Sequence, residues 1–241
     1  MQEVKLTIIY DNLNGARQGY IKSFGFAALI EINNKIILFD TGTESNTLLS
    51  NLNQYGIQPA SLNAVIMSHN HYDHTDGLPG IINYNKDLPV YIHQYWDKPA
   101  SFIGKSIPHK NQYIIKKGRN LTELNEDIYL TNVFKSQDYG GIYEQACFIR
   151  SNDSYILLCG CCHPGLIRFL NDRKNLRIPT DAPLHLIGGF HGFKFETNEV
   201  KELNPYIYSI VLCHCTMNVE IYKKQFGEKC SIGIVGETLI F

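Results

Sequence analysis

Apolar and polar residues alternate through "VKLTIIY" (4–10), whereas "FAALIEI" (26–32) and "KIILFD" (35–40) are apolar almost throughout. Alternation with a period of two marks a strand with one buried face, and an unbroken apolar run marks a strand buried on both. Asn33-Asn34 separates the second and third runs, a pair suited to a two-residue hairpin turn. The period then changes. In "NTLLSNLNQYG" Leu48, Leu49, Leu52 and Tyr55 share one helical face, and Gly56 is placed to stop the helix. "NAVIMS" (63–68) predicts a short buried strand, followed by a polar loop and a helix that Thr75 or Asp76 can cap. "LPVYIH" (88–93) is another strand.

Residues 98–119 break this rhythm with proline, glycine and a run of lysines. Strands resume in "EDIYLTNVF" (126–134), "QACFIRS" and "SYILLCG" (145–160), and a helix follows in "PGLIRFLND". "LHLIGGFHG" (184–192), "YIYSIVLCHC" (206–215), a helix near 217–226, and the strands "CSIGIVG" and "TLIF" complete the pattern. Two strand-rich halves, each with helices, predict an α/β protein: two packed sheets covered by helices, in one domain over residues 1–241.

Composition narrows the function classes. A chain of 241 residues can bury a sizeable core, and its formal net charge of −1 leaves no basic footprint for generic nucleic-acid binding. No apolar run approaches the ~20 residues that span a bilayer, and "MQEVKLTIIYDN" lacks the build of a secretory leader. A cytoplasmic protein without membrane or nucleic-acid partners is expected. Seven cysteines cannot all pair within the chain. Cys159, Cys161 and Cys162 precede His163, and Cys213 and Cys215 flank His214, which suggests thiols near a metal. Small apolar residues at strand ends are the competing reading for most of them.

"SHNHYDHTDGL" (68–78) carries His69, His71 and His74, with Asp73 between the last two. Buried imidazoles each need a polar partner, so three in one loop would compete for the same few groups. His69 and His71, two apart in an extended loop, can reach one metal, and Asp73 and His74 can reach a second one nearby. HxHxDH at the exit of a buried strand is far more specific than HxH alone. His163, His191 and His214 each end a later apolar strand, which would deliver them to the same sheet edge. His93 reads as a core or rim residue, and His109 and His185 as bystanders.

"FDTG" (39–42), "SHNHYDHTDGL" and the later histidine-bearing strand ends resemble the metallo-β-lactamase superfamily. "FGFAALIEINNKIILFDTG", "EQACFI", "CGCCHPG", "IGGFHGF" and "CHCT" are similar to one branch of it, which holds proteins named 7,8-dihydropterin-6-yl-methyl-4-(β-D-ribofuranosyl)aminobenzene 5′-phosphate synthase. The resemblance implies a four-layered αββα sandwich with two divalent metal ions. Zinc suits the imidazole-rich donors, and manganese(II) and iron(II) also accept nitrogen and oxygen ligands. By resemblance His69, His71 and His163 hold the first metal, and Asp73, His74 and His214 the second, with Asp73 also serving catalysis. Asp40 would orient a ligand histidine by accepting its outer N–H. The superfamily usually bridges its metals with an aspartate after a glycine. Here Gly160-Cys161 stands in that place, so Cys161 is a candidate soft ligand, bridging or terminal, or stands off while His163 reaches in.

The function so implied is a dinuclear metal-dependent hydrolase, or a related transferase, for a phosphorylated or otherwise anionic small molecule. A phosphodiesterase or lactonase, and a non-catalytic metal-dependent sensor, are the alternatives. His191 is a proton donor or anion-binding group over the metals, or equally a support or alternative ligand for them. Phe24 is expected to form an apolar wall of the pocket. Lys105 and Lys110, in the basic stretch 98–119, are expected to draw in substrate from a mobile flap; a solvated edge strand carrying protective lysines is the competing reading.

Overall fold

The computed structural model describes residues 3–98 and 101–241, so Pro99 and Ala100, near the start of the basic stretch, lie outside the described residues. The chain opens with β1 (Val4–Tyr10), β2 (Ala27–Ile32) and β3 (Lys35–Phe39), paired antiparallel in succession. Asn33 and Asn34 make the β2–β3 turn with φ of 48° and 61°, the left-handed pair such a hairpin needs. Helix α1 (Ser45–Tyr55) ends at Gly56 in a left-handed C-cap. It leads to β4 (Ala64–Ile66), which runs parallel to β3. After two short helices, α2 (Tyr72–Thr75) and α3 (Leu78–Tyr84), the parallel strands β5 (Val90–His93) and β6 (Gln112–Ile115) follow.

The second sheet begins with β7 (Arg119–Asn120) and β8 (Ile128–Leu130). A small hairpin of β9 (Phe134–Lys135) and β10 (Tyr143–Glu144) precedes the antiparallel pair β11 (Cys147–Ser151) and β12 (Ser154–Cys159). Helices α4 (Leu166–Asn171) and α5 (Arg173–Leu176) lead to β13 (Leu184–Gly188), and α6 (Thr197–Leu203) to β14 (Ile207–Leu212). Helix α7 (Val219–Phe226) leads to β15 (Cys230–Ile232), and β16 (Thr238–Ile240) crosses back to pair with β1. Among the described residues the two large sheets have the orders β16-β1-β2-β3-β4-β5-β6 and β15-β14-β13-β12-β11-β8-β7.

Period-two patterning sorts the apolar side chains into three cores. Ile37 and Phe39 join Leu6, Ile66, Ile149 and Leu158 between the sheets. Leu38 points the other way, to Leu48, Leu52 and Ile81 of α1 and α3. On the far side Leu157, Leu186 and Leu212 meet Phe169 of α4 and Tyr222 of α7. Helix, sheet, sheet, helix is therefore the order of layers.

Two local expectations are revised. Neither Thr75 nor Asp76 starts the helix that follows: Thr75 Oγ1 donates to His71 O, Asp76 closes α2 as its C-cap while its Oδ1 accepts from Lys105 N, and α3 starts after Gly77 with Pro79 in its first turn. "EDIYLTNVF" is not one strand. The ladder stops at Leu130 because Thr131 Oγ1 accepts from Ala146 N and Asn132 N donates to Asp172. In the basic stretch the edge-strand reading holds for "QYII", which forms β6, so a flap is confined to the residues before it.

Candidate metal centre

The C-terminal ends of β3, β4, β12, β13 and β14 bring Asp40, the segment Ser68–Thr75, Cys161–His163, His191 and His214–Cys215 to one edge of the sandwich. Asp40 lies at its base, fully buried, with φ of 55°. Its carboxylate accepts from Ser68 N at 2.8 Å, Ser68 Oγ at 2.7 Å and His74 Nδ1 at 2.8 Å. Because Ser68 spends its only hydroxyl proton on Asp40, its oxygen accepts from His69 Nδ1 at 2.8 Å. The network thus fixes both tautomers. His69 holds its proton on Nδ1, outward, and turns the Nε2 lone pair inward, and His74 likewise donates from Nδ1 and presents Nε2 to the cluster.

His69, His71 and His163 offer ring nitrogens that all lie within 4.8 Å of one another. His69 Nε2 faces His71 Nδ1 at 3.1 Å, while His71 Nε2 and both nitrogens of His163 are buried without a hydrogen-bond partner. Burial first, and then the neighbouring imidazoles, push His69 well below the ordinary imidazole range, His71 down to about 4 and His163 down to about 2. Three neutral imidazoles that crowd one point, with His71 Nε2 and the His163 nitrogens lacking a hydrogen bond and Asp138 Oδ2 no nearer than 3.5 Å to His163 Nδ1, are costly unless a cation joins them. These residues fit a metal.

Beside them, His74 Nε2, Cys161 Sγ, His214 Nε2 and Cys215 Sγ form a second mutual set within the same distance. His74 Nε2 is 3.1 Å from Cys161 Sγ, and His214 Nε2 is 2.8 Å from Cys215 Sγ and 2.9 Å from Asp73 Oδ2. Burial pulls His74 down, but the Asp73 and Asp40 carboxylates outweigh it and raise it well above its usual range. Burial pushes Asp73 up, but His74 and His214 drive it well below the carboxylate range. A hydrogen bond from Cys161 lowers the Cys215 thiol, and burial raises that of Cys161. Two imidazoles and two thiols converge here with a carboxylate at their side, so this position too fits a cation.

Several supporting residues escaped the sequence reading. Glu144, at the end of β10, accepts from the backbone N–H groups of Cys161, Cys162 and His163 at 2.7–2.9 Å and so shapes the loop after β12. Asp11 accepts from His214 N at 2.6 Å, and Asn12 bonds His214 Nδ1. Asp11 and Asn12 directly follow β1, where a "YDN" after an apolar run was the available signal. Glu144 gave none, because its partners are all backbone.

The mouth is aromatic. Phe24 packs edge-on to His214 at 4.8 Å between centroids, so the structure brings it to the cluster. Tyr139 faces His71, His163, His191 and Phe102. Phe24, Phe102 and Tyr139 are each about half exposed. His191 stands 4.6 Å from His163, with Asp138 Oδ2 4.0 Å from its Nδ1. Lys105 adjoins Asp76 through its backbone N–H. Lys110 is not brought to the cluster: its Nζ bonds Asp87, just before β5, at 3.0 Å.

A model of the Metallo-beta-lactamase superfamily matches residues 21–135, the segment that supplies Asp40 and the HxHxDH loop. The chain belongs to the metallo-β-lactamase superfamily. A superfamily hydrolase of solved structure, Tm1679, described as a metal-dependent hydrolase of the β-lactamase superfamily, shares the fold with a TM-score of 0.71 at 21% identity, covering 98% of each chain. By sequence the chain is 30% identical over 239 residues to the uncharacterized protein MJ0448 of Methanocaldococcus jannaschii, covering 88% of this chain and 90% of that one. It is 24% identical over 282 residues to the 7,8-dihydropterin-6-methyl-4-(beta-D-ribofuranosyl)-aminobenzene-5'-phosphate synthase of the same organism, covering 94% of each. Among the described residues no helix is long and apolar enough to cross a membrane.

Proposed function

We propose that this superfamily member is a dinuclear metal-dependent hydrolase, or a related transferase, acting on an anionic, phosphorylated small molecule. The observation that carries the reading is the pair of adjoining donor sets, one of three histidines and one of histidines with thiols, beneath a half-exposed aromatic mouth. His69, His71 and His163 would hold one cation, and His74, His214 and Cys161, with Asp73 beside them, the other. Cations there supply an acidified water and polarise the electrophile's oxygen. The chain's own groups do the rest. Asp40 and Ser68 fix the ring orientation of His69 and His74. Phe24, Phe102 and Tyr139 exclude water above the cluster and offer ring faces to a flat portion of the substrate. His191, partly exposed beside His163, is placed to hold an anionic group or to pass a proton to a leaving group. The 24% relation to a synthase named for a phosphorylated product supports the phosphorylated class.

The test is turnover of bis(p-nitrophenyl) phosphate and of a lactone panel by chelator-stripped protein, before and after zinc, manganese or iron(II) is restored. Phosphodiester cleavage that appears only with metal, and falls at least about 100-fold in His69→Ala, is expected, since a lost metal ligand removes the cation's contribution to the barrier. Metal uptake without turnover of any substrate would favour a sensor instead.

A further inference from the structure

We propose that Cys215 is itself a metal ligand, and that with His74, Cys161 and His214 it forms a closed N2S2 site for a thiophilic cation, zinc above all. The proposal rests on the reading of the cluster as a metal centre and changes the make-up of its second position. The resemblance places Asp73 there. The structure gives a different set of four: His74, Cys161, His214 and Cys215 present donor atoms all within 4.8 Å of one another, and Asp73 is not among them. Asp73 Oδ2 lies 3.9 Å from His74 Nε2 but 2.9 Å from His214 Nε2, so it abuts one histidine from the side.

The donor chemistry agrees. Zinc takes sulfur at roughly 2.3 Å and imidazole nitrogen at roughly 2.0–2.1 Å in a tetrahedron, which sets its ligands roughly 3.4–3.8 Å apart. The short separations here, 3.1 Å from His74 to Cys161 and 2.8 Å from His214 to Cys215, need only small outward shifts to meet that spacing. Both histidines already have Nδ1 occupied, by Asp40 and by Asn12, which leaves Nε2 toward the sulfurs. Cys215 also holds an unusual backbone, φ 65°, directly after His214. Neighbouring residues on an extended chain point apart; this left-handed turn lets side chains 214 and 215 reach one cluster. Left-handed backbone is costly for a non-glycine residue, and such outliers gather where a site demands them.

Two consequences follow for the reaction. Four protein donors close the second position, leaving the three-histidine set, one ligand short of a tetrahedron, as the open place for water and substrate. Two thiolates also select soft over hard cations, so magnesium and calcium are excluded and manganese is disfavoured there.

The experiment uses the full-length chain loaded with zinc, and separately with cobalt(II). X-ray absorption at the zinc edge should show sulfur scatterers at about 2.3 Å, averaging about one sulfur per zinc when both positions are filled. The cobalt protein should show a strong near-ultraviolet sulfur-to-metal charge-transfer band, reduced by about half in Cys215→Ser and retained in Asp73→Asn, as a two-thiolate site requires. Bound metal with no sulfur scattering, or a full band in Cys215→Ser, would overturn the assignment of Cys215 and leave the metal-centre reading standing. Failure to bind any metal would remove both. If Cys215→Ser does not fold, the sulfur count in the unaltered protein decides alone: about one per zinc supports the site, and about one half or less overturns it.

Discussion

His93 shows at the scale of a single residue how the fold treats an imidazole outside the metal centre. It closes β5, is buried beside Trp96, and accepts from Tyr95 N at 3.2 Å. Burial lowers it from 6.5 to about 4. The folded chain therefore binds this proton more weakly than the unfolded one. His93 contributes stability that is present above pH 6.5 and is lost as pH falls through about 4. Denaturant midpoints measured between pH 7 and pH 4 should fall less steeply in His93→Gln than in the unaltered chain, by about 2–3 kcal/mol over the window. An equal slope in both would mean that His93 is not held neutral. Residues with chemistry of their own were the legible ones. His69, His71, His74, His163 and His214 stood out because crowded imidazoles have few other uses, and the structure brings all five together. Glu144 and Ser68 did not stand out, because a lone glutamate or serine in a chain of 241 carries no pattern.

Among elements, the junctions beyond the strand ends control the site. Gly160 follows β12 so tightly that a Cβ there would sit 2.1 Å from Ser68 Oγ and 3.0 Å from Asp40 Oδ2. Gly160→Ala should lower stability by about 1–3 kcal/mol, as overpacking does, and should weaken metal retention by displacing the serine that orients His69. Adding Ser68→Gly should return stability but not metal retention, read by denaturation and by dialysis against a chelator; recovery of both would show that Ser68 has no orienting part. Element types were largely legible from period and turn residues, as the Asn33-Asn34 hairpin and the Gly56 cap show. Boundaries were less so. Thr131 and Asn132 end β8 through bonds to Ala146 and Asp172, partners that only the tertiary fold supplies. The basic stretch was less legible for a similar reason: Lys110 Nζ meets Asp87 at the surface, and charge composition cannot show which way a lysine points.

For the molecule as a whole, the proposed metal centre would tie stability to metal, because its donors sit on converging strand ends. If the cations bind only the folded chain, free zinc at 100 times its dissociation constant should stabilise it by about 2.7 kcal/mol per site, and chelation should reverse the gain. Thermal midpoints that ignore zinc concentration would contradict that linkage. The topology adds an order in time. β1 is the first strand made, yet its outer partner is β16, and Asp11 at its end bonds a backbone N–H 203 positions later. Synthesis runs from the amino end, so the donors of the three-histidine position are all present once residue 163 has been made, some fifty residues before the thiol-bearing position is complete. On the proposed reading a nascent chain has two assembly dates for one centre, and the cation it meets first would be offered nitrogen before it is offered sulfur.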